Sequence, residues 1–123
     1  MKLIKKQNLT WFERFTYQKA VPLTEKDFHQ PRTQFQIVRF SPRSSIGEHW
    51  HKKTCELFFV ESGRGTAVIN EKNINLTSGD ILLCEPGDHH AFNNPNDEDL
   101  VLLDFKINTR ENDLFWPTST ETG

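Results

Sequence analysis

Residues 47–63 read G-E-H-W-H-K-K-T-C-E-L-F-F-V-E-S-G, and residues 79–94 read G-D-I-L-L-C-E-P-G-D-H-H-A-F-N-N. His49-Trp50-His51 sits in a strand-like piece, where residues two apart project to the same face with Cβ atoms roughly 7 Å apart. Two imidazoles leaning together can each bring a nitrogen to about 2.1 Å from one shared ion. Glu56 lies an odd number of positions after His51, so on one continuous strand it would face away from both histidines. The intervening Lys52-Lys53-Thr54 reads as a turn, which lets Glu56 open the next strand and aim back at the same point. The same parity turns Cys55 away from the site and excludes it as a ligand. His90 follows the Pro86-Gly87-Asp88 turn, which returns a more distant strand to the cluster. A lone His-x-His recurs by chance; the carboxylate, the turns and His90 at compatible spacing make it a ligand set. Three neutral imidazoles and one carboxylate suit Fe, Mn, Co, Ni, Cu or Zn as divalent ions and leave coordination positions open.

Working outward, turn signals recur at short intervals: Ser41-Pro42, Lys52-Lys53, Ser62 to Gly65, Glu71 to Asn73, Ser78 to Asp80, Pro86 to Asp88 and Asn93 to Asp99. Strand-like pieces rich in β-branched and aromatic residues lie between them: Gln34–Phe40, Glu48–His51, Glu56–Glu61, Thr66–Asn70, Ile74–Leu76, Ile81–Cys84, His90–Phe92 and Leu100–Asn108. In the last of these Ile107, Phe105 and Leu103 alternate with Lys106 and Asp104. Many short strands at this spacing predict an all-β sandwich or barrel. The first 30 residues are less regular: Trp11, Phe12, Phe15 and Tyr17 form an aromatic cluster, expected across the barrel or against a second subunit. Val21–Arg32, with Pro22 and Pro31, reads as loop, and Pro117–Gly123 as a polar, mobile tail.

The chain has 123 residues, enough for one domain. Fifteen Lys and Arg against 17 Asp and Glu give a net charge of −2, which argues against a nucleic-acid binder working through a broad basic face. Only 35% of the residues are apolar, but ten Phe and three Trp enlarge the core that this share can build. No apolar run approaches the roughly 20 residues of a bilayer span, so no membrane partner is expected. Two cysteines are too few for a disulfide framework, which points to a reduced, cytoplasmic protein.

The two quoted stretches resemble the two motifs of the cupin superfamily. The first motif is His-x-His, three or four residues, Glu, then six residues to Gly, met by His49, His51, Glu56 and Gly63. The second, Gly-x5-Pro-x-Gly-x2-His-x3-Asn, is met by Gly79, Gly87, His90 and Asn94. The sequence departs from the pattern at Glu85, where the family has its first proline, and at Arg43, where a glycine is expected before the histidines. The resemblance implies a single-domain cupin-type jelly-roll barrel or sandwich that holds a divalent transition metal through His49, His51, Glu56 and His90. Family members include dioxygenases, isomerases, decarboxylases, lyases, sugar sensors and storage proteins, so the fold does not choose the chemistry.

Other residues carry weaker signals. His89 faces away from His90 and is expected at the rim; Asp88 shapes its turn or orients an imidazole; His29 is an exposed loop residue. Glu56, Phe58 and Val60 share one parity, and Leu57 and Phe59 the other. An exposed Leu57/Phe59 stripe needs cover, which makes a homodimer the expected assembly. Gln36, Phe58 and Phe92 are candidates for the pocket wall, with Gln34, Gln36 and Arg39 able to orient a substrate or to face solvent. Cys84 reads as a small core residue and Gly63-Arg64-Gly65 as a hairpin turn.

The expected organisation is an N-terminal arm and loop over 1–32, the barrel over 33–108 and a tail over 109–123. The expected function is a metal-dependent enzyme of dioxygenase or isomerase/lyase type acting on a small metabolite; Glu56 is a candidate base. The alternative is a non-catalytic module that binds or senses a small, sugar-like molecule. A sensor of this family usually carries a DNA-binding helical domain, for which the residues after Asn108 leave no room.

Overall fold

The computed structural model describes residues 1–117; the expected tail beyond Pro117 lies outside the described residues. Among the described residues ten strands follow one another: β1 Phe12–Arg14, β2 Tyr17–Thr24, β3 Thr33–Phe40, β4 Ser44–His49, β5 Cys55–Ser62, β6 Arg64–Ile69, β7 Lys72–Thr77, β8 Ile81–Cys84, β9 His90–Asn94 and β10 Leu100–Ile107. A short α-helix, α1 (Glu25–Phe28), sits between β2 and β3. The strands form two antiparallel sheets, one in the order β1-β2-β3-β10-β5-β8 and the other β4-β9-β6-β7. From β3 onward the chain alternates between the sheets, the β6–β7 hairpin aside, which makes an all-β jelly-roll sandwich. No helix among the described residues is long and apolar enough to cross a membrane.

The core lies between the sheets and follows strand parity. Phe58 and Val60 of β5, Leu100 and Leu102 of β10, and Val38 and Phe40 of β3 all point inward. Phe92 of β9 closes the layer from the second sheet, its ring 4.8 Å from Phe58 and 6.1 Å from Phe40. Each buried aromatic removes roughly 150–250 Å² from water, which compensates for the low apolar content. Gly63 holds the β5–β6 turn at φ +80, and a Cβ there would stand 2.2 Å from the Asp99 carbonyl oxygen. Only glycine meets both demands. Asn94, fully buried, donates from one amide nitrogen to the carbonyls of Phe40 and Glu98 at 2.9 and 2.8 Å, tying the β9–β10 loop to β3.

The structure corrects the reading of the N-terminal segment. Val21–Arg32 is not loop throughout, since β2 runs to Thr24 and α1 follows. Pro22 is tolerated because the β2–β3 ladder shifts register between Ala20 and Leu23, where no N–H is required. Asp27 accepts the Thr24 N–H at 2.9 Å to start the helix, and Phe28 packs its ring 5.3 Å from Phe105 on the outer face. In the aromatic cluster, Tyr17 packs on Phe40 at 5.5 Å, while Trp11 lies under the Arg39 guanidinium at 3.9 Å. Phe15, in the β1–β2 turn, is 95% exposed.

Two further details refine the sequence reading. The β4 strand starts at Ser44 and ends at His49, with Trp50 held separately by paired main-chain bonds to Phe115 at 3.0 and 2.9 Å. In β10 the alternation turns a carboxyl group inward: Asp104 is 1% exposed and faces inward with Leu100 and Leu102, while Leu103 and Phe105 face outward.

Candidate functional site

His49 closes β4 and is paired across the sheet with His90, the first residue of β9. Their rings are 4.3 Å apart, and His51 completes the group at 6.0 and 5.7 Å from them. One nitrogen from each ring lies within 4.8 Å of the other two, and no cysteine joins them among the described residues. Cys55 follows Thr54 directly and opens β5 opposite Ile107, outside this group.

Each ring is aimed by a main-chain carbonyl. The Nδ1 atoms of His49, His51 and His90 lie 2.9, 2.6 and 3.0 Å from the carbonyl oxygens of Gly47, Asp113 and Asp88. An Nδ1–H donated in this way leaves Nε2 as the lone-pair nitrogen, the tautomer a metal ligand needs. Glu56, the second residue of β5, meets two of the rings: its Oε1 is 2.7 Å from His51 Nε2 and 3.3 Å from His90 Nε2. With Nδ1 protonated, carboxylate oxygen and Nε2 are both acceptors. Facing each other in a buried site they require a proton or a cation between them, and among the described residues Glu56 Oε1 and His90 Nε2 have no hydrogen-bond partner. The donor set therefore fits a divalent transition metal.

The electrostatics agree. Burial, reinforced by His90, lowers the His49 pKa to about 4, so its imidazole is neutral near pH 7. Burial also works against a charged His51, but the adjacent Glu56 carboxylate outweighs it and raises the pKa, so without a cation the facing pair is eased by a proton on the ring. Burial pushes Glu56 upward, but the neighbouring His51, His90 and Asp104 outweigh it and hold the carboxylate well below its usual range. Asp104 is raised well above that range by burial and by the Glu56 charge.

Sequence reasoning missed several residues here. Asp104 is one, and it accepts the Gln36 amide at 2.7 Å. Asp113 is another: its carboxylate accepts the N–H groups of Lys52, Lys53 and Thr54 at 2.7, 3.0 and 2.9 Å, fixing the turn between His51 and Glu56. Above the histidines opens a cavity of about 250 Å³. Gln36, Phe58 and Phe92 line it, as do Arg14, Lys19 and Trp116, whose ring lies 5.0 Å from His49. Gln36 is committed to Asp104 and accepts from Gln34 at 3.0 Å. Asp88 has both roles weighed for it: its carbonyl aims His90, and its carboxylate accepts the Glu85 N–H at 2.8 Å. A proline at 85 could not donate that bond, so the departure from the motif comes with its own turn chemistry. Arg43 adopts φ +59, the left-handed region where the motif's glycine would be unstrained. His89 stacks on Trp50 at 3.9 Å and contacts Glu48 at 3.0 Å on the rim, and His29 is exposed at the end of α1.

The sequence matches the Cupin domain family over residues 36–106. The chain is a cupin. It is 27% identical over 81 residues to an oxalate-binding protein of Thermotoga maritima, covering 66% of this cupin and 67% of that relative. It is 35% identical over 77 residues to the HTH-type transcriptional activator RhaR of Salmonella choleraesuis, covering 61% of this chain but only 27% of the activator. Among solved structures, a predicted oxalate decarboxylase from Thermotoga maritima superimposes with a TM-score of 0.80 at 23% identity, covering 88% of this chain and all (100%) of the other.

Proposed function

We propose that this cupin is a metal-dependent enzyme, of dioxygenase or isomerase/lyase type, acting on a small metabolite in the barrel. The observation that carries the reading is the pair of facing acceptors, Glu56 Oε1 and His51 Nε2, at 2.7 Å beside two further imidazoles. His49, His51, Glu56 and His90 would hold Fe, Mn, Ni, Co, Cu or Zn. Such an ion supplies Lewis acidity and positions for substrate or oxygen. The chain itself contributes the buried Asp104, its pKa raised by burial and by the Glu56 charge, and a wall of Phe58, Phe92 and Trp116 beside the histidines. The likeness to an oxalate-binding protein supports a small metabolite as the molecule the barrel takes.

The test is metal analysis of protein purified without chelators or a histidine tag, followed by incubation with small organic acids and sugars. Stoichiometric metal with oxygen uptake or product formation is the expected result; metal-free protein overturns the reading. The similarity to RhaR favours a second reading, a module that binds a small molecule unchanged. Saturable binding without turnover in the same incubation identifies it.

We further propose a homodimer. Leu57 and Phe59 of β5 lie opposite Leu83 and Ile81 of the edge strand β8, and all four are exposed on the outer face. A second copy covering this stripe removes both the apolar patch and the open edge. The free thiols of Cys55 and Cys84 support a reducing, cytoplasmic setting.

A further inference from the structure

We propose that the cavity takes a small organic anion, whose acidic group is held by Arg14, Lys19 and Lys106 while the rest of the molecule reaches toward the histidines. This rests on the metal-site reading for the cavity floor. The three cations come from separate strands, β1, β2 and β10, yet all line the same cavity. Lys106 is opposite Glu56 in the ladder, and Lys19 opposite Val38. Among the described residues no carboxylate forms an ion pair with any of the three, whereas Lys2 and Arg43 have Asp27 and Asp97. Arg39 is likewise satisfied, by Gln18 and the Trp11 ring.

Like charges gathered around one cavity repel, and at Lys19 the carboxyl groups of Asp104 and Glu56 on the same cavity offset that repulsion only in part. Burial, then Lys106 and Arg14, lower the Lys19 pKa to about 8. The acidic side chains on the same cavity, Glu56 and Asp104, lie at its histidine end, where a bound cation would offset the Glu56 charge and leave the wall more positive still. A neutral sugar gains nothing from such a wall, whereas an anion relieves the repulsion and forms charge-assisted hydrogen bonds. The cavity, about 250 Å³, sits just under the roughly 300–1,000 Å³ of drug-sized sites, which restricts the ligand to a small metabolite.

The experiment is calorimetry on the full chain loaded with Mn²⁺ at pH 7, using short mono- and dicarboxylates against their neutral amides, and phosphate monoesters against their parent alcohols. At least one acid should bind about tenfold more tightly than its neutral counterpart, and the two arms tell which acidic group is preferred. Lys19→Met should weaken that acid about tenfold at unchanged metal content. Arg14→Gln, at an exposed position, repeats the test without risk to folding. Equal binding of acids and neutral counterparts, or full affinity in both variants, overturns the proposal. Metal content of the same samples separates the two readings: charge preference in protein that retains no metal sinks the metal site alone, and charge-blind binding by loaded protein sinks this inference alone.

Discussion

The Nδ1–H of His51 points at the carbonyl oxygen of Asp113, 2.6 Å away and 62 positions along the chain, while the carboxylate of the same aspartate caps the turn that follows His51. One residue thus sets both a ring and the turn leading to Glu56. Asp113→Ala removes the acceptor of three main-chain N–H groups and of the Thr54 hydroxyl. The expected loss is roughly 1.5–3 kcal/mol of stability and about 10- to 100-fold in metal affinity, read by urea denaturation and by competition with a chelator. Unchanged affinity would show that the turn does not position the ligands.

Cys55 and His90 offer a contrast. His90→Gln should sharply lower the metal bound per chain, because it removes one of three convergent nitrogens. Cys55→Ser should leave it unchanged. Elemental analysis of the two purified variants checks both.

The metal-free protein should lose stability on acidification. His49 has a folded pKa of about 4 against 6.5 unfolded. Between those values the unfolded chain binds more protons, so stability is present above pH 6.5 and falls as pH drops toward 4. A shift of this size is worth about 3 kcal/mol. The raised His51 acts in the opposite sense, its contribution fading as pH rises through its folded pKa. Melting temperatures across roughly pH 4–7 should fall toward acid in the parent and much less in His49→Gln.

Phe59→Glu places a charge in the middle of the exposed stripe. Light scattering should give a dimer for the parent and a monomer for the variant, with metal content retained. A parent chain that is monomeric at micromolar concentration removes the dimer.

The histidine positions were legible because strand parity and one short turn suffice to bring His49, His51 and Glu56 to one place. Strands β3 and β5–β10 were legible for the same reason, each bounded by its own turn residues. Asp104 was not, because the alternation of Leu103, Phe105 and Ile107 with Asp104 and Lys106 does not say which side is buried, and only the barrel's polar interior turns Asp104 inward. Nor was Lys19, because it falls between the aromatic cluster and the stretch read as loop, and the strand that carries it continues through Pro22 at a ladder irregularity. Asp113 belongs to no periodic segment, and its role depends on a contact between distant parts of the chain.

The three orienting acceptors are all peptide oxygens, which no side-chain replacement can delete. The aim of each imidazole is therefore inherited from the route of the backbone, and substitutions at 88 and 113 reach the rings only through the turns their carboxylates hold. A one-residue insertion between Glu85 and His89 would swing His90 away while every ligand stayed in the sequence, a form of damage that inspection of the ligand residues would never reveal.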